Sequence, residues 1–119
     1  MPTHRHERVR ELVKREIGEA IRREIPVDQA GLVTVNDVVM SGDLKSALVF
    51  ISILGGAEQQ RTGFALLQSH RMRIQDLVAK AVVLKYVPRL RFTMDDSVAR
   101  GNRVLQILEE LEKQSPAQS

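Results

Sequence analysis

Apolar residues return every three or four positions at Val9, Leu12, Val13, Ile17, Ala20 and Ile21, the spacing of an amphipathic helix that starts near residue 4. Pro26 disfavours helical geometry in the residue before it, so this helix ends near Ile25. Two runs rich in Val and Ile follow, Leu32 to Met40 and Ala47 to Leu54. Ser41-Gly42-Asp43 between them is turn chemistry, which joins the runs as a β-hairpin. The second run is apolar at both parities of a period-two strand, so it is either central in its sheet or covered on both faces. Gly55-Gly56 ends it.

From about Ala57 to Val87 no proline intervenes, and helical spacing returns at Phe64, Leu67, Ile74, Leu77, Val78 and Ala81. The stripe fails between them, because three or four steps beyond Leu67 lie His70 and Arg71. Gly63 also weakens the first half as a helix. The pattern predicts two helices, or one helix broken near residues 69 to 72. After Pro88, Leu90, Phe92 and Met94 alternate with Arg89, Arg91 and Thr93, a strand with one core face and one face carrying two guanidinium groups. Asp95-Asp96-Ser97 offers N-caps for a last helix with Val104, Ile107, Leu108 and Leu111 on its apolar side. The polar tail 114–119 reads as disordered.

These elements predict an α+β fold in one domain over residues 1–113, in the order α-β-β-α-(kink)-α-β plus a C-terminal helix. The hairpin is antiparallel, whereas strands two and three are joined through helices and so are parallel with a right-handed crossover. The result is a three-stranded mixed sheet.

Charge changes the picture most between residues 70 and 91. Arg71, Arg73, Lys80, Lys85, Arg89 and Arg91 face a single acid there, Asp76, so the segment is net +5 and leaves −2 for the rest of a chain whose total is +3. Positive charge concentrated on one stretch is how a fold meets a polyanion. These six basic residues are candidate RNA contacts together with His70, which could titrate beside phosphate. Arg71 and Arg73 lie about 200° apart on a continuous helix, so both reach one ligand only if the helix bends or ends between them. On the first helix Arg8 and Arg15 share a stripe with Arg22 and are further candidates. Glu11, Glu16 and Glu19 interleave with them, and the ordinary reading of that face is solvated local ion pairs.

Other chemistry finds little support. The chain has no Cys, hence neither disulfide framework nor thiolate site, in keeping with a reducing compartment. Phe50, Phe64, Phe92 and Tyr86 are the only aromatics, too few for base-stacking platforms. No run reaches the length of a membrane span, and the polar start is unlike a signal peptide. Asp95-Asp96 with Asp37 could suggest a Mg²⁺ site, but a competent one draws several carboxylates together, and helix initiation is the simpler role. His4 and His6 fall on a terminus expected to be disordered. No catalytic triad, P-loop or dinucleotide glycine pattern is present.

The order of elements is that of a type II KH module, and two spaced patterns narrow it. Val38, Ser41, Asp43, Leu44, Ala47, Val49 and Ser52 follow V-x-x-S-x-D-L-x-x-A-x-V-x-x-S. Leu84, Pro88, Leu90, Phe92, Asp95, Ser97, Gly101, Arg103 and Val104 follow L-x-x-x-P-x-L-x-F-x-x-D-x-S-x-x-x-G-x-R-[IV]. Together they resemble the ribosome-binding factor A family of bacteria, in order from Arg8-Val9 to about Leu111. The resemblance implies a cytoplasmic, non-catalytic, monomeric factor without a cofactor. It would associate with the immature free 30S subunit and support late maturation and 5′-end processing of 16S rRNA, most of all in the cold. Its partners would be 16S rRNA and its precursor within that subunit, with assembly GTPases as further candidates. The family carries an Ala-x-Gly kink between its two central helices, whereas this chain has His70-Arg71-Met72 there. A small basic protein–protein adaptor of the same fold is the alternative reading.

Overall fold

The structure, a computed structural model, describes residues 4–82 and 88–95. Helix α1 spans His4–Glu24 and α2 Val27–Ala30; strands β1, Leu32–Met40, and β2, Ser46–Leu54, form the hairpin. Helices α3, Ala57–Ser69, and α4, Arg71–Ala81, lead to strand β3, Arg89–Met94. The sheet order is β1-β2-β3, with β1 antiparallel and β3 parallel to the central strand. The mixed sheet expected from the pattern is therefore present. The expected C-terminal helix and tail, with Lys85, lie outside the described residues.

One face of the sheet carries the main core. Ala47, Val49, Ile51 and Ile53 of β2, with Val38, Leu90 and Phe92 beside them, meet Val13, Ile17 and Ile21 of α1 and Leu67, Ile74 and Val78 of α3 and α4. The opposite face of β2 is closed too, since Leu48 and Phe50 are buried. That agrees with a central strand apolar on both sides. On β3 the same face holds a buried Thr93 and a half-buried Arg91, so only Arg89 is fully exposed where the alternation predicts an open basic face.

Three local features depart from the pattern. His4 already belongs to α1 and His6 is half-buried within it, so the start is ordered by helix continuity rather than frayed. The four-residue α2 escapes any periodicity test; Pro26 starts it in extended geometry, and its carbonyl accepts from Gln29 and Ala30 N–H. Gly63 is a packing requirement, not simply a weak helix residue. A Cβ there would lie 2.5 Å from the Ala30 carbonyl oxygen and 3.0 Å from Ile53 Cδ1. Gly63→Ala should thus cost about 1–3 kcal/mol through overpacking, outweighing the gain of ~1 kcal/mol in helix propensity. Urea denaturation checks it; a raised midpoint would mean that propensity wins.

The hairpin loop closes on its own polar groups. Ser41 N–H donates to the Ser46 carbonyl (2.9 Å), Ser46 N–H to Ser41 Oγ (3.0 Å), and Lys45 N–H to Asp43 Oδ1 (3.0 Å). Leu44 is the residue at positive φ, 63°, although Gly42 stands two positions earlier. The Ser41 hydroxyl, 2.6 Å from Asp43 Oδ1, holds that carboxyl below its ordinary value; burial opposes it, and the Lys45 N–H and charge add to it. A depressed carboxyl stabilises the fold above its unfolded pKa and loses that contribution as pH falls through the folded value. Asp43→Asn should accordingly flatten the acid limb of a stability–pH profile below about pH 4 and leave the neutral region unchanged in shape.

Candidate nucleic-acid interface

Three of the described cations of the basic segment, Arg71, Arg89 and Arg91, gather around β3, an edge strand among the described residues. Edge strands leave backbone donors and acceptors open, and α4 covers one such pair. Gln75 Oε1 accepts from Leu90 N–H at 3.1 Å, and an Arg71 guanidinium nitrogen lies 3.4 Å from the Leu90 carbonyl oxygen. Arg71 and Gln75 are four residues apart, hence neighbours on one side of α4. Leu90 is flanked by Arg89 and Arg91, which point to the opposite face of the sheet from it. The backbone of Lys45 joins them, its carbonyl accepting from Arg89 N–H at 2.8 Å. Arg71, Arg89, Arg91 and Lys45 thus form a cationic rim along the start of β3.

The remaining candidates go elsewhere. The helix break falls at His70 (φ −99°, ψ 7°), one residue before Arg71 and not between Arg71 and Arg73. Both arginines therefore sit on one helix and diverge. Arg73 pairs with Glu24 at the end of α1, and Lys80, seven residues on, shares its stripe. His70 closes α3: its Nδ1 is 2.9 Å from the Leu66 carbonyl oxygen, which makes Nδ1 the donor in the neutral ring and leaves Nε2 for any ligand. Arg8 and Arg15 are exposed on α1; Arg15 lies 3.3 Å from Glu16 and Arg22 pairs with Glu19, which fits the solvated-face reading. Asp37 is committed to Arg10 (2.9 Å) and to Val38 N–H (2.8 Å), and Asp95 Oδ2 accepts from Asn36 (2.8 Å).

Gln75 and Lys45 escape the charge pattern. Gln75 could have been found from its four-residue offset to Arg71; Lys45 joins the rim only through the parallel pairing that sets Ser46 opposite Arg89.

A helix, a hairpin, a helix pair broken at one residue and a parallel third strand define a single KH-like domain with a cationic edge. The family model of ribosome-binding factor A matches residues 5–108, and the chain belongs to that family. It is 35% identical over 109 residues to ribosome-binding factor A of Opitutus terrae, covering 92% of this chain and 88% of that one. Identity to the Gloeobacter violaceus protein of the same name is 34% over 122 residues, covering 100% and 95%. Among solved structures, ribosome-binding factor A from Thermus thermophilus superposes with a TM-score of 0.64 at 23% identity, over 74% of this chain and 92% of that one. A homology-built Thermus thermophilus factor, fitted into the cryo-EM map of a 30S complex, gives 0.63 at 23% over 72% and 90%. These structural likenesses concern the fold. Among the described residues no helix is long and apolar enough to cross a membrane.

Proposed function

We propose that this chain is an RNA-binding assembly factor that associates with the free, immature 30S subunit. It supports late maturation and 5′-end processing of 16S rRNA, with its largest effect in the cold. It acts in the cytoplasm as a monomer, by binding and without catalysis, and assembly GTPases are candidate partners. The observation that carries the reading is the rim of Arg71, Arg89, Arg91 and Lys45. Guanidinium forks match phosphate oxygens two bonds at a time, and phosphate contacts position a protein on RNA without reading bases. The scarcity of aromatics and the Gln75 and Arg71 contacts on the Leu90 backbone favour phosphate contact over base readout. That a relative of this fold has been placed in a 30S map supports the choice of subunit.

The test is sedimentation with dissociated ribosomes. Wild-type protein should travel with free small subunits and not with assembled ribosomes. Arg71→Ala with Arg89→Ala should lose that comigration while melting within a few degrees of wild type. Arg73→Ala with Lys80→Ala, on the α1 side of α4, should retain most of it. The reverse ranking would move the RNA surface to the α1–α4 side, with Arg8 and Arg15 as its neighbours.

A further inference from the structure

Among the described residues the sheet has two edges, and they are treated differently. At β3 the Leu90 N–H and carbonyl are met by Gln75 and Arg71. Which groups β1 leaves outward follows from the hydrogen bonds of β2. The Ile51 carbonyl accepts from Asp95 N–H (2.8 Å) and so points away from β1. Val35, opposite Ile51, and Val33, opposite Ile53, are then the non-hydrogen-bonded positions of the antiparallel pair, with N–H and C=O both directed out of the sheet. The same phase turns Val38 outward beyond the irregularity between Val35 and Asp37. There the edge is blunted, because Val38 N–H is taken by Asp37 Oδ1, itself tied to Arg10.

Beside the open stretch runs a cleft of ≈ 350 Å³ between β1 and α1, lined by Leu32 to Val35 on one wall and by Glu11, Lys14, Arg15, Gly18 and Arg22, three cations against one acid, on the other. A Cβ on Gly18 would meet nothing within 4 Å, so the wall is lowest there. Lys14 makes no ion pair with an acid among the described residues.

We infer that this cleft accepts an extended acidic peptide as an added strand on β1. The open groups alternate donor and acceptor, which another peptide backbone satisfies group for group. RNA phosphate is an acceptor only, so the outward carbonyls of Val33 and Val35 would stand unpaired against it. Carboxylates on alternate residues of the added strand would fall beside Lys14 and beside Arg22, which would exchange its exposed Glu19 partner for the peptide, and the net positive charge there sets the partner's sign. The inference concerns the edge opposite to the RNA-facing rim, so either can fail alone.

The probe is a synthetic peptide alternating valine with glutamate, added to isotope-labelled full-length protein. The amides of Val33 and Val35 should shift and become protected from hydrogen exchange, while those of β3 stay unchanged. A peptide N-methylated at alternate residues should not bind. Lys14→Glu with Arg22→Glu should weaken binding roughly tenfold. Gly18→Leu, favoured by helix propensity and directed into the cleft, should abolish it with the fold intact. Equal binding of the N-methylated peptide, or no protection of Val33 and Val35 at millimolar peptide, overturns the inference. Protection of those amides by an oligouridylate instead of the peptide also overturns it and assigns the cleft to RNA.

Discussion

Phe92→Ala should lower the stability of the fold by about 3–5 kcal/mol, the usual cost of truncating a large buried aromatic. Phe92 is 3% exposed, stands opposite Val49 in the parallel pairing, and belongs to the cluster that joins β2 to α1 and α4. Collapse into the gap is limited, because β3 is held by β2 on one side and by the Gln75 and Arg71 contacts to the Leu90 backbone on the other. Domains of this size are stable by about 5–15 kcal/mol, so the variant should be measurably unfolded at modest urea. Arg91→Ala is the matched control. Its side chain leaves the strand on the other face and is half-buried, so its loss should cost far less. Denaturation of the two variants side by side decides the phase of the strand. A tolerated Phe92→Ala beside an unfolded Arg91→Ala would reverse it.

Affinity for small-subunit RNA should fall by about two to three decades when monovalent salt rises from roughly 50 to 200 mM, as expected for some five neutralised phosphates. The sequence places six cations between residues 70 and 91 against one acid. Of those described, Arg71, Arg89 and Arg91 lie at β3 while Arg73 turns to Glu24 with Lys80 on its stripe, so not all can act on one RNA strand. The slope of log K against log salt counts those that do. Removing Arg71 or Arg89 should make it shallower by about one phosphate each, and removing Arg73 should change it little. A flat plot would end the electrostatic account.

The fold is largely legible in the sequence because its strands keep one period each and its helices another. Leu90 and Phe92 announce β3 by alternation, and the failure of the stripe after Leu67 announces the break that the structure puts at His70. What periodicity cannot carry is close approach between segments distant in the chain. Gly63 looks like a poor helix residue because its partner, the Ala30 carbonyl, belongs to a helix too short to show a period. The site is legible in charge but not in direction. Arg71 and Arg73 are near neighbours in the sequence, yet one reaches β3 and the other Glu24, since two residues along a helix turn their bearings about 200° apart, which no count of cations reveals. His70 reads as a candidate phosphate contact, while the carbonyl of Leu66 already claims its Nδ1.

The parallel pairing of β2 with β3 also dictates how the molecule emerges from the ribosome that makes it. Ser46 pairs with Arg89 and Ile51 with Met94, so the central strand waits for its second neighbour until both intervening helices have been synthesised. At about 5–20 residues per second that interval lasts roughly two to eight seconds. Throughout it the nascent hairpin holds a strand that is apolar on both sides and half unpaired, the condition most prone to pairing with another chain. Such non-local closure also slows folding. The step is therefore a window for chaperone capture, and it lengthens as translation slows on cooling.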